Sequence, residues 1–177
     1  MKNKILLLTL SSFLIVSAFT TLSSWKIAED YNIHFEGRGA NGTFSGLTGI
    51  IQFNPSNLAA SKIAVSVDAS SISTGNTLQD KHARGKKWFD VENYPEIKFT
   101  SKSFKKTAAG YEVVGEFELH GVTKEHTIPF TFTKQGTGGI FEGKTNVNRY
   151  DYGIEGPIMA ATVSRDFDIT IRVPVSR

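Results

Sequence analysis

The sequence contains no cysteine, and it has only five prolines and two methionines among its 177 residues. Without cysteine the chain cannot form a disulfide, a thiolate metal site, a cysteine nucleophile or a lipid anchor on an N-terminal cysteine. Its stability must therefore come from buried apolar surface, which a domain of about 150 residues can supply. The hydrophobic content of 40% and the charged content of 21% are ordinary for a single globular domain.

Long hydrophobic runs are also scarce, and the clearest one stands at the N-terminus. Lys2 and Lys4 precede a mainly apolar stretch over residues 5–16, which small residues follow. This order is typical of a secretory signal peptide, and the apolar part is short for a membrane span. We predict a signal peptide over residues 1–24, with an uncleaved anchor as the alternative, and a mature domain over residues 25–177. The predicted location is the periplasm or the outside of a bacterial cell.

Net charge is low once that leader is set aside. The chain has 20 Lys and Arg against 17 Asp and Glu, and removing Lys2 and Lys4 leaves 18 against 17. No basic run or tail remains that is typical of nucleic-acid binding. The sequence therefore predicts no nucleic-acid partner.

Two glycine-rich stretches match nucleotide-binding patterns by their letters alone. Residues 138–145 fit the P-loop pattern, but their middle is apolar and the chain continues as a strand. Residues 37–42 fit the dinucleotide fingerprint, yet Thr43 and Phe44 follow where a helix should begin. We therefore predict an extended segment and a turn, with no nucleotide and no other cofactor.

Catalytic and metal-binding patterns are missing as well. The four histidines, His34, His82, His120 and His126, lie far apart and show no metal-ligand spacing. Ser45 lacks the spacing of a nucleophile elbow. The sequence predicts no metal site, no catalytic residue and no enzymatic activity.

What the sequence does contain is repeated alternation of apolar and polar residues. Tyr31, Ile33 and Phe35 alternate with polar neighbours, and the same pattern recurs through the segments around residues 111–119 and 167–175. About eight short strands with hairpin-like connections favour an all-β fold, either a closed antiparallel barrel or a sandwich. The predicted inward positions mix large aromatic and small residues. Such a mixture fits both an open lumen and a filled core.

One long interruption, residues 74–95, separates the strands. Its first half has helical spacing, with Asn76 or Thr77 as the N-cap and Leu78 and His82 on one face. We name these residues the lid segment. The residues predicted to face water are Gln79, Asp80, Lys81 and Arg84.

Three aromatic residues fill the second half of the lid segment. Trp88, Phe89 and Tyr94 lie on a turn-rich stretch that is too short to bury them by itself. They must pack on the sheet, either as a plug or beside the mouth of a ligand cavity.

Six stretches resemble, in order, the YceI-like polyisoprenoid-binding family, and the likeness covers nearly all of the predicted mature domain. They are residues 42–53, 71–76, 80–82, 88–99, 115–124 and 148–154. The resemblance implies an exported, eight-stranded, lipocalin-like antiparallel barrel with a short helical lid. Its cavity would hold an isoprenoid or another long-chain amphiphile, and the protein would be a carrier or sequestering protein.

The candidate binding residues fall into two groups. Those predicted to line the tail site are Phe35, Phe53, Val65, Phe99, Val113, Phe117, Phe130 and Phe132. Those matched to the cavity mouth or head group are Arg38, Asp80, His82, Trp88, Phe89, Arg149 and Asp151. The first turn, which carries Arg38, is shorter than in many relatives. The resemblance therefore supports head-group recognition less than it supports the tail site.

We also expect Gly115→Phe to fill the lumen and abolish lipid uptake in a folded protein.

Two other functions and the oligomeric state stay open at this point. An enzyme acting on a lipid or quinone would use His82 and Asp151 as acid and base. An envelope interaction module would have a filled barrel that admits no apolar probe. A homodimer is one of the assemblies that the sequence allows.

Overall fold

A computed structural model describes residues 24–177, and within them the chain forms ten antiparallel strands and one α-helix. The strands are β1 Lys26–Ile27, β2 Asn32–Gly37, β3 Ala40–Phe44, β4 Thr48–Gln52, β5 Lys62–Asp68, β6 Glu96–Thr107, β7 Gly110–Leu119, β8 Val122–Gln135, β9 Gly138–Asn148 and β10 Asp166–Ser176. The helix, α1, spans Thr77–Arg84, and four 3-10 turns lie at Leu58–Ala60, Ala69–Ser71, Arg149–Tyr152 and Ile158–Thr162. Apart from its last residue, the predicted signal peptide lies outside the described residues.

The sheet is strongly curled because its two edges are neighbours in sequence. The strand order is β3-β2-β10-β9-β8-β7-β6-β5-β4, so β3 and β4 stand at opposite ends. Nine flat strands about 4.8 Å apart would separate these edges by about 38 Å. The connection over residues 45–47 spans about 15 Å at most. The sheet must therefore curl until its edges approach each other.

Two short bridges tie each edge strand to a neighbouring segment. Trp25 donates its backbone N–H to the carbonyl of Ile51 at 2.7 Å, beside the pairing of β1 with β10. Farther along, Thr43 and Ser73 exchange backbone hydrogen bonds of 2.9 and 3.0 Å. Each contact pairs one residue of an edge strand, Ile51 of β4 or Thr43 of β3, with a segment beside it. The all-β, lipocalin-like antiparallel fold with a short helix is confirmed, and the strand count is ten where eight were predicted.

The turn predicted at the glycine-rich residues 37–42 is only partly a turn. Residues 40–44 form β3, which pairs with β2 and bridges to Ser73, the residue before the lid segment. A Cβ atom at Gly42 would stand 2.2 Å from the carbonyl oxygen of Ser73, so glycine there permits close contact between two backbones. Residues 138–145 lie in β9, which confirms that this P-loop-like stretch is extended.

One end of the curled sheet is filled by aromatic side chains. Phe53, 2% exposed, stands at the centre of this filled end, which we name the Phe53 cluster. Its ring lies 5.1–6.0 Å from those of Phe104, Tyr111, Phe130, Phe132 and Phe141. Edge-on ring contacts of this kind add to the free energy gained by burying apolar area. None of the helices within residues 24–177 is long and apolar enough to cross a membrane.

Candidate functional site

A cavity of about 840 Å³ occupies the end of the curled sheet opposite the Phe53 cluster. Single strands contribute to both ends because inward side chains recur at every second residue. On β10, Phe167 and Ile169 line the cavity, while Val173 and Val175 join the Phe53 cluster. The molecule therefore combines the two interiors that the sequence left open, a filled core and an apolar lumen.

The cavity wall is built mainly of aliphatic and aromatic side chains. A continuous row of rings runs from β10 across β2 and β3 to the lid segment. Phe167 lies 6.0 Å from Phe35, Phe35 lies 5.4 Å from Phe44, and Phe44 lies 5.6 Å from Phe89. This row gives a chain-like apolar ligand a long surface to contact.

Helix α1 closes part of the cavity and is held by polar contacts at both ends. Asn76 is the N-cap, and its Oδ1 accepts the backbone N–H groups of Leu78 and Gln79 at 3.0 and 3.1 Å. At the other end, Arg84 donates to the carbonyl oxygens of Ser70 and Ile72 at 2.6 and 2.9 Å. The Asn76 cap stabilises the start of the helix, and the Arg84 bonds tie its end to the 3-10 turn after β5.

The face that α1 turns to the cavity differs from the predicted one. Gln79, His82 and Ala83 line the cavity, and their spacing places them on one side of the helix. Leu78 is 62% exposed and lies outside the lining, so the prediction that it shares the packed face with His82 was wrong. Gln79 is exposed, as predicted, although it also borders the cavity. Few residues of this helix are apolar, so the pattern is a weak signal of its orientation.

Trp88 and Phe89 follow the helix in a tight turn and line the cavity. The backbone N–H of Trp88 donates to the Gly85 carbonyl at 2.8 Å, and Asp90 takes a positive φ of 45°. Asp tolerates this conformation better than most residues. A Cβ atom at Gly156 would stand 3.0 Å from the Trp88 ring, so the indole is packed directly against the loop after β9.

Arg149 is buried in the cavity wall at 5% exposure and holds that loop in place. Its Nη1 donates to the carbonyl oxygens of Ile154 and Glu155, both at 2.5 Å, and its Nε donates to that of Ser164 at 2.9 Å. Its Cζ also lies 5.0 Å from the Trp88 ring centre. The guanidinium thus joins the loop to the lid segment, and its predicted head-group role remains a prediction.

The predicted tail row is divided between the two ends. Phe35 and Phe117 line the cavity. The other six lie in the Phe53 cluster or against it, because the strand positions they occupy are nearer the filled end; they are Phe53, Val65, Phe99, Val113, Phe130 and Phe132. The prediction that all eight line one lumen is corrected accordingly.

The predicted mouth residues are also divided. His82, Trp88, Phe89 and Arg149 line the cavity. The remaining three lie outside its lining. Arg38 borders a separate polar pocket of about 370 Å³. Asp80 accepts both the backbone N–H and the hydroxyl of Thr74 at 2.7 Å, and Asp151 pairs with Lys124 at 3.4 Å. Asp80 therefore has a clear role in fixing the start of the lid segment.

Gly115 does not face open space. A Cβ atom there would stand 2.4 Å from the carbonyl oxygen of Thr100 and 2.6 Å from the Phe99 ring. Phenylalanine at this position would collide with β6 before it reached the cavity. The expectation that Gly115→Phe fills the lumen of a folded protein is therefore withdrawn.

Sequence reasoning missed part of the wall. Lys87 lies between residues that were predicted, and the loop over residues 154–163 contributes Ile154, Ile158 and Val163. Neither strand nor helix periodicity marks this loop. Lys87 directly precedes Trp88, and this proximity was the available signal for its place in the wall.

The histidines stand in separate surroundings. His120 Nδ1 lies 3.0 Å from the Tyr152 carbonyl oxygen, and His126 Nε2 lies 2.7 Å from the Thr145 hydroxyl. In the part of the chain that the structure describes, no three His, Cys, Asp or Glu side chains gather where they could hold a metal ion.

A family model described as "YceI-like domain" matches residues 25–175. The chain belongs to the YceI-like family. This YceI-like chain is 35% identical over 161 residues to a UPF0312 protein of Yersinia enterocolitica, covering 80% of this chain and 84% of that relative. It is 36% identical over 165 residues to a UPF0312 protein of Pseudomonas syringae pv. tomato, covering 81% and 85%. The predicted family is confirmed.

Solved structures share the YceI-like fold at low sequence identity. BcnA of Burkholderia cenocepacia matches with a TM-score of 0.76 at 21% identity, over 81% of this chain and 95% of that one. A polyisoprenoid binding domain from Saccharophagus degradans matches with a TM-score of 0.65 at 16% identity, over 88% and 99%. At such identities the likeness establishes the fold alone.

Proposed function

We propose that this YceI-like protein binds a polyisoprenoid or a similar long-chain amphiphilic lipid in the cavity and carries or sequesters it. The observation that carries the proposal is a cavity of about 840 Å³ with an almost wholly apolar wall at one end of the sheet. That volume is in the range typical of small-molecule sites. A family neighbour named as a polyisoprenoid binding domain adds support for the ligand class.

The apolar wall supplies enough free energy for binding without an ionic anchor. Burial of each methylene-sized group stabilises a complex by about 0.8 kcal/mol, so several isoprene units give substantial affinity. The wall is also largely pre-formed, because Arg84 and Arg149 fix the helix and the loop that complete it. Pre-formed walls reduce the entropy lost on binding.

Binding is favoured over the two alternatives by specific geometry. The enzyme hypothesis paired His82 with Asp151, yet only His82 lines the cavity, and Asp151 pairs with Lys124. The filled-module hypothesis expects no cavity, whereas one of about 840 Å³ is present. We further propose that the protein acts in the bacterial envelope after export, on the basis of the leader-like residues 1–24.

Filling the cavity tests the proposal. Ala83→Trp places an indole on the cavity-facing side of α1, and Ala40→Phe does so from the edge strand β3. Both are expected to weaken binding of a fluorescent prenyl lipid at least about tenfold, because a lost 1.4 kcal/mol of burial has that effect. The control is Ala59→Trp, on an exposed 3-10 turn outside the lining.

Circular dichroism and urea unfolding would first establish that each variant is folded. Unchanged lipid affinity in folded Ala83→Trp and Ala40→Phe proteins would refute the cavity as the binding site. Equal loss in Ala59→Trp would show that the effect is not local.

A further inference from the structure

The ionisable side chains on the cavity wall are all basic. Lys87, Arg149 and His82 line it, and within residues 24–177 no aspartate or glutamate does. A prenyl or alkyl tail has no charge and no hydrogen-bond acceptor with which these groups could interact. The wall therefore carries chemistry suited to a part of the ligand other than its tail.

Lys87 and His82 stand at the rim, where a head group would lie. Both residues are exposed yet belong to the cavity lining. Neither side chain has a hydrogen bond or ion pair with any described residue, although other lysines such as Lys98 and Lys102 pair with glutamates. The two side chains are thus available to donate hydrogen bonds to a ligand.

Arg149 adds a buried positive charge to the same wall. Its donors are directed to backbone carbonyl oxygens, and no carboxylate in the described chain pairs with it. A charge in this weakly polar setting acts over a longer range than one in water. It raises the attraction of the cavity for an anion without contacting it.

We propose, on the basis of the lipid-binding function above, that the cavity selects amphiphiles with an anionic oxyacid head, a phosphate or carboxylate. Lys87 and His82 contact that head at the rim while the tail fills the lumen. An anion cannot enter the apolar interior without a large desolvation cost, and the Phe53 cluster blocks the far end. The head therefore stays at the rim, where water still solvates it and Lys87 and His82 can donate hydrogen bonds to it.

Three probes with one tail separate the head from the chain: geranylgeraniol, geranylgeranyl monophosphate and geranylgeranoic acid. At low salt the wild-type protein is expected to prefer at least one anionic probe to the alcohol by about tenfold, with the preference shrinking as salt rises. Lys87→Gln is expected to remove most of that preference, and Lys87→Glu to reverse it. Lys86→Gln, one residue away and outside the lining, is the matched control.

The outcomes distinguish head-group selection from lipid binding itself. Equal binding of all three probes would overturn head selection and leave lipid binding intact. A preference that survives in both Lys87 variants and in His82→Asn would overturn the assignment of the rim. Failure of every probe to bind would overturn the proposed function and this inference with it. Comparison of the phosphate with the carboxylate decides which oxyacid the rim prefers.

Discussion

Phe53 is the residue on which the filled end depends most. It is 2% exposed and its ring contacts five other aromatic rings, so its removal leaves a hole that rigid neighbours cannot close. We expect Phe53→Ala to lower the free energy of unfolding by about 3–5 kcal/mol. Urea unfolding measures the change. Phe167→Ala, on the wall of the existing cavity, should lower the free energy of unfolding by less. Equal losses in the two variants would contradict the division into two ends.

His126 gives the stability a pH dependence near neutrality. Partial burial lowers the pKa of its imidazole below the usual 6.5, where it lies beside the Thr145 hydroxyl. The unfolded chain therefore binds a proton first as the pH falls. The stabilisation is complete above about pH 6.5 and is lost as the pH falls below that value.

Unfolding in urea at pH 7.5 and 5.5 tests this effect, and His126→Gln should reduce the difference between the two. His34→Gln, on β2, is the control. A hydrogen bond from Ser66 lowers the pKa of Glu96, and hydrogen bonds from Thr74 lower that of Asp80. These two carboxylates therefore lose their contribution to stability only at more acidic pH. A pH response that is identical in wild-type and His126→Gln proteins would exclude this histidine as its source.

At the level of single residues, the sequence predicted which side chains face inward better than it predicted their position along the barrel. Alternation indicated correctly that Phe35, Phe117 and Phe130 face inward. It could not tell that Phe130 lies at the filled end, because periodicity fixes the face of a strand and not the depth along it. Depth depends on strand register, which the β-bulge between Ser101 and Ser103 also shifts.

At the level of elements, the loop after β9 depends on Arg149. Lysine at this position keeps the charge but cannot reach three carbonyl oxygens with a planar fork of donors. We expect Arg149→Lys to lower the free energy of unfolding by about 1.5–3 kcal/mol, the contribution of one hydrogen bond to a charged group. Hydrogen exchange should also speed up over residues 153–165.

The matched control for that variant is Arg165→Lys, since Arg165 is exposed and stacks on Tyr150 from outside the cavity lining. Unchanged exchange over residues 153–165 in Arg149→Lys would show that the loop is held by other contacts.

Elements with strong local signals were predicted and those without were not. The helix start at Asn76 followed from capping chemistry. The hairpin-like connections are represented by the two-residue turn between β7 and β8, in which His120 and Gly121 both have positive φ. Strand β3 was missed because its glycines read as a turn. The loop over residues 154–163 was missed because Arg149 determines its shape through tertiary hydrogen bonds. No local sequence pattern indicates such bonds.

At the level of the whole molecule, one curled sheet performs two tasks. The Phe53 cluster stabilises the fold at one end, and this leaves the other end free to keep an unfilled apolar space of about 840 Å³. An empty apolar cavity costs stability, so a ligand that fills it should stabilise the protein by mass action. We propose that a long-chain lipid is that ligand.

Native mass spectrometry of the protein purified from its own source without detergent tests this claim most directly. Organic extraction then identifies any released compound. We predict one long-chain lipid per chain, released by solvent and restored by adding prenyl lipid to the stripped protein. A clean ligand-free mass, together with failure to take up added prenyl lipids, would contradict the account.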